Sequence, residues 1–120
     1  MYYLIIFTLI TPIKEELFFR GFLFKGLSKR YNIPICILAT SIFFGISHLN
    51  PVQMVSGIIF GIISSILYLK TDNFLMPLLL HTMNNLIVYV ILNGINYILF
   101  IVSAIIILLS YLLVKRKVKE

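Results

Sequence analysis

Glu15, Glu16, Arg20, His48, His81 and Asn85 are the side chains able to move protons or hold an anion, in a chain otherwise short of polar groups. A glutamate shielded from bulk water can accept a proton from a water molecule near neutral pH. A histidine beside it can orient that water or carry the proton on to a leaving amine. An N–H-bearing pair such as His81 and Asn85 can donate to the oxyanion of a tetrahedral intermediate. Together these are the parts needed to hydrolyse an amide.

The spacing assigns them different work. On a helix, Glu16 and Arg20 are four apart and share a face, so they can pair. Glu15 is five from Arg20, about 140° round the helix, and is less well placed to join them. Arg20 then holds Glu16, and Glu15 is available for another task. A solvated charged turn at a membrane surface is the bland alternative; Phe18, Phe19, Phe22 and Phe24, interleaved with the charges, count against it. His48 closes "FFGISH", with Phe44 one turn earlier, and His81 opens "HTMNN", with Asn85 one turn later. Hydrogen-bonding between helices would also explain two buried histidines. Lys14 and Asn84 are the other strongly polar residues within the apolar stretches, where such groups mark function by default.

The elements that must position these residues are greasy. The 120 residues are 61% hydrophobic and 12% charged, whereas an average soluble domain is about half apolar and roughly a quarter charged. Four apolar stretches occupy residues 33–49, 52–69, 74–93 and 97–114. Each is long enough, at about 1.5 Å per residue, to cross a hydrocarbon core. Turn chemistry separates them in "LNPV" (49–52), "KTDNF" (70–74) and "LNGIN" (92–96). Thr11-Pro12 reads as an N-cap and first helical residue, which predicts a further helix from Pro12 to about Ser28. Residues 1–10 are too few to span alone; either they form one kinked span with the helix that follows or, the favoured reading, they are the remnant of a preceding helix. The expectation is an all-α, multi-pass transmembrane bundle of four to five helices, forming one domain over residues 1–120.

A net charge of +6 raises the question of nucleic acid. The basic residues answer it by punctuating the apolar segments instead of striping one face. Lys25, Lys29 and Arg30, then Lys70, then "KRKVKE" fall on one side if the spans alternate, while "LNPV" and "LNGIN" carry no basic residue. That pattern places the basic loops and the C-terminus in the cytoplasm of a cell membrane. "MYYLIIFTLI" lacks the basic lead and cleavage site of a signal peptide. The single cysteine, Cys36, excludes an intrachain disulfide and a multi-thiolate metal site.

"EELFFR" (Glu15, Glu16, Arg20), "FGISH" (Phe44 to His48) and "HTMNN" (His81 to Asn85) resemble, in order, the motifs EExxxR, FxxxH and HxxxN of the CPBP intramembrane protease family. That family includes the type II CAAX prenyl endopeptidases and bacterial bacteriocin-immunity (Abi) proteins. The resemblance covers residues 15–85 and implies that Glu15 is the base and that His48 helps it activate water. It implies an oxyanion-binding role for His81 and Asn85, and structural support from Glu16, Arg20 and Phe44. It also implies a pocket open toward the cytoplasm. The chain resembles a catalytic core lacking most N-terminal helices. Helical depth adds a constraint: from the cytoplasmic ends, Glu15 and His81 lie about 10–15 Å deep and His48 nearer 22 Å. A tilted or broken helix around Asn50-Pro51 would reconcile them.

Other chemistries are possible. Zinc held by His48, His81 and a glutamate is the nearest rival, but HExxH spacing is absent and asparagine is a poor ligand; the metal-free version, with no cofactor, is favoured. Cys36 lies about 18 Å along its helix from His48 and reads as a packing residue. "GIIFG", with Gly57 and Gly61, permits close helix contact. From a different class, the chain could be a non-catalytic membrane protein that binds a partner subunit, such as an immunity protein, or a small transporter subunit. The expected substrate is a peptide or lipidated peptide near the cytoplasmic leaflet, and the Ile-, Asn- and Lys-rich usage suggests an AT-rich bacterium.

Overall fold

In the computed structural model, residues 2–93 and Ile105 are described, and these are helical apart from short turns. The apolar stretch at 97–114 lies outside the described residues, Ile105 apart. A continuous helical run opens the chain: α1 (Tyr2–Ile5), a π-helical segment (Ile6–Ile10), α2 (Thr11–Glu16), a second π-helical segment (Leu17–Phe24) and α3 (Lys25–Leu27). It is followed by α4 (Ile33–Ile46), α5 (Pro51–Thr71) and α6 (Leu75–Asn93). α5 and α6 are each long and apolar enough to cross a membrane. The fold is a membrane helix bundle.

Local chemistry sets each boundary. Asn32 caps α4, its Oδ1 accepting from the Ile35 amide at 3.1 Å, with Pro34 in the first turn. Asn50 does the same for α5, accepting from Val52 and Gln53 at 3.0 and 3.2 Å. Proline at 51 forces Asn50 out of the α region, to φ −126° and ψ 128°. α4 therefore closes at Ile46, not at residue 49, with Leu49 at φ 55° in the turn. α5 ends on Asp72, left-handed at φ 45°, and Asn73 Oδ1 accepts from the Leu75 amide at 2.9 Å to start α6.

The expected N-cap at Thr11 is absent. Thr11 has helical angles, φ −62° and ψ −51°, and its amide donates to the Ile6 carbonyl, five residues back. A proline inside an α-helix lacks an N–H and its ring collides with the carbonyl four residues earlier. Widening the preceding turn to π register is one way to pass it without stopping. The Thr8 hydroxyl also donates to the Leu4 carbonyl at 2.6 Å.

The chain divides into two compact units, residues 15–77 and residues 1–14 with 78–120. Within the first, α4 packs on α5 through small residues. A β-carbon on Gly61 would lie 2.9 Å from Ser41 Cα, and one on Gly57 3.1 Å from Gly45 Cα. The GxxxG is thus half of a matched pair with Ser41 and Gly45, where absent side chains let backbones meet. Near the other end of these helices, Phe24, Cys36 and Tyr68 are buried against Leu27, Ile37 and Phe74. Cys36 is a packing residue there, its thiol 3.6 Å from the Tyr31 carbonyl.

Gly45 is the most tightly held position of the crossing. A β-carbon there would stand 2.5 Å from the Met54 carbonyl oxygen and 2.5 Å from Ile58 Cγ1. A backbone carbonyl cannot rotate away, so the helices would have to part. Gly45→Ala is expected to destabilise the protein by about 1–3 kcal/mol. Gly26→Ala, which would meet nothing within 4 Å, is expected to unfold near the parent. Thermal unfolding of the detergent-solubilised variants, followed by helical circular dichroism, would separate the two.

Candidate active site

In the unit of residues 15–77, the wide segment Leu17–Phe24 carries Arg20 inward, and Arg20 and Glu16 are 1% and 0% exposed. Arg20 Nε lies 3.3 Å from Glu16 Oε2. The same oxygen accepts from the Ser64 hydroxyl at 3.3 Å, and Arg20 Nη2 donates to the Gly61 carbonyl at 3.1 Å. The pair is therefore clamped to α5 at two points one turn apart. Burying two charges is costly unless each is paired and hydrogen-bonded; Ser64 supplies one bond to the carboxylate and the Gly61 carbonyl takes one from the guanidinium. Glu15, half-buried at the end of α2, also acts on the Arg20 charge, more weakly than Glu16 does.

Phe44 connects this pair to His48. Its ring is buried, with Arg20 Cζ 5.2 Å from its centroid on a cation–π contact. Phe19 meets it edge-on at 5.0 Å and Phe60 lies tilted at 5.7 Å. The His48 ring packs against it at 5.0 Å. His48 itself lies beyond the helix, in the turn that follows Ile46, and is half-buried. Its Nδ1 is 2.8 Å from the Phe44 carbonyl, which also accepts from the Ser47 hydroxyl at 2.7 Å. Of the two expected alternatives, a tilted or a broken helix near Asn50-Pro51, the chain has a break, and it begins before His48.

In the other unit, His81 and Asn85 are buried one turn apart on α6. Asn85 Nδ2 donates to the Phe7 carbonyl at 2.9 Å, and Asn84 Nδ2 to Asn85 Oδ1 at 3.4 Å. The Phe7 acceptor exists because of Pro12. In π register the Phe7 carbonyl would take its proton from residue 12, which has none to give. In α register it would take it from Thr11, whose amide is committed to Ile6. One amide proton of Asn85 fills that vacancy, and the side chain has a second to offer.

Sequence reasoning identified neither Phe7, Ser64 nor the Gly61 carbonyl. Pro12 was the readable signal for the first, and serines beside a GxxxG the signal for the others. For a metal, no group of three His, Cys, Asp or Glu side chains among the described residues is placed to hold an ion. Chemically, a carboxylate beside a buried ion pair, an imidazole seated on a carbonyl and an anchored carboxamide can respectively accept a proton, orient water and donate to an anion.

Residues 1–87 match the family described as "Type II CAAX prenyl endopeptidase Rce1-like". "Putative membrane peptidase YdiL" of Bacillus subtilis (strain 168) is 29% identical over 87 residues, covering 72% of this chain and 36% of that protein. The chain thus spans about a third of the length of that curated relative. No solved structure matches.

Proposed function

This chain belongs to the type II CAAX prenyl endopeptidase Rce1-like family, and on that premise we propose that it is an intramembrane endopeptidase. Its substrate is a peptide or lipidated peptide presented near the cytoplasmic leaflet. The observation that carries this reading is the extent of the family match, residues 1–87, which takes in all three motifs from Glu15 to Asn85. Glu15 serves as the base that deprotonates water, with His48 orienting it. His81 and Asn85 donate to the oxyanion, and the proton returns to the leaving amine. The Glu16–Arg20 pair holds the helix that carries Glu15 in register with α5.

The reaction needs no metal in this scheme, because each proton transfer and the oxyanion have a side chain of their own. Purified protein in detergent, mixed with membrane-derived peptides and read by mass spectrometry, should give new peptide termini. Activity is expected to survive a strong chelator. Loss with chelator and recovery with zinc would replace the scheme by one in which zinc activates the water. If no peptide is cut while an immunity phenotype persists in the Glu15→Gln variant, the chain acts by binding a membrane partner.

A further inference from the structure

α4 ends in a way that fixes one proton. Its last turn tightens, so the His48 amide donates to the Gly45 carbonyl at 3.2 Å instead of to Phe44, four residues back. The Phe44 carbonyl is left among the acceptors that a helix C-terminus cannot satisfy internally. Two side chains fill it: the Ser47 hydroxyl at 2.7 Å and His48 Nδ1 at 2.8 Å. A carbonyl only accepts, so Nδ1 carries its hydrogen into this bond. In a neutral imidazole Nε2 is then the acceptor.

The ring is also confined from two sides. Phe44 packs on it at 5.0 Å. On the other helix, a β-carbon at Gly57 would stand 3.6 Å from His48 Nδ1 and 3.1 Å from Gly45 Cα. The absent side chain at 57 thus admits α4, and a methyl there would press on Gly45 and come into contact with the imidazole, shifting the turn that carries it.

We infer that the Phe44 carbonyl and Gly57 form a seat that holds His48 as its Nδ1–H tautomer, making Nε2 its working nitrogen and Gly57 a positioning residue. The phenylalanine then serves through its backbone oxygen as well as its ring. The catalytic use of Nε2 rests on the endopeptidase reading; the tautomer itself does not.

Long-range 1H–15N correlation on 15N-histidine-labelled protein in detergent, with His81→Gln used only to assign the two rings, tests the seat without any activity. The expected result is a neutral His48 protonated at Nδ1; a ring protonated at Nε2 overturns the proposal. Ser47→Ala should leave the tautomer unchanged, and a switch would show that the hydroxyl, not the carbonyl, had held it. Gly57→Ala should shift the His48 resonances and lower peptide hydrolysis about tenfold, as expected for a misplaced catalytic group. Unchanged His48 resonances in folded Gly57→Ala would remove Gly57 from the seat. An Nδ1–H ring in a protein that cuts nothing would leave the seat standing and sink the endopeptidase reading.

Discussion

Glu15→Gln is expected to lower peptide hydrolysis by about 10²–10⁴-fold, the usual contribution of a general base, while the protein still folds. Glutamine preserves the length and planarity of the side chain while replacing the basic oxygen and its charge by an amide NH2. The ion pair next to it is built from Glu16, Arg20, Ser64 and Gly61 and does not depend on Glu15 for either hydrogen bond. Rate and thermal stability should therefore separate: a collapse in the first with little movement in the second. Retained hydrolysis in Glu15→Gln, with loss of expression in Arg20→Ala, would make these residues scaffold.

The second large effect falls on stability. Glu16→Ala leaves the Arg20 guanidinium buried without its nearest counter-charge, a kind of change that costs about 3–5 kcal/mol. Glu15 also acts on Arg20, so it offsets part of the loss, and in doing so is drawn from its own task. The variant should be both less stable and less active. In Glu16→Leu combined with Arg20→Met the charge is gone along with its partner, and stability should recover most of the loss. Denaturation of the single and double variants in the same detergent checks this; a double variant no better than the single would mean that the clamp to α5, not charge burial, dominates.

Much of the bundle is legible in the sequence. α5 and α6 declare themselves by apolar length, and Asn50-Pro51 and Asp72-Asn73 mark their ends by known cap and turn chemistry. What escaped was backbone register and one distant backbone partner. Thr11-Pro12 carries every local sign of a helix start, yet the chain runs through it, because widening the preceding turn relieves the ring. His48 reads as the end of a long span, but the proline at 51 shortens that helix and moves the histidine into a turn. The acceptor for Asn85 is a backbone oxygen 78 positions away in the chain, and no side-chain pattern announces a carbonyl. The motif spacing did single out Glu16 and Arg20 for pairing, since a four-residue interval within one helix is a local relation.

The brevity of α4 has a consequence for how water reaches the proposed site. Fourteen residues reach about 21 Å, against a hydrocarbon layer of about 30 Å. If one end sits at the lipid–water boundary, the 47–50 turn stops some way short of the far boundary, or the bilayer pinches to meet it. Irregular backbone is tolerated at such depth only inside protein or along a wetted recess. On the endopeptidase reading proposed above, a wetted recess at this turn would bring water to the imidazole end of the site, where peptide cleavage consumes it.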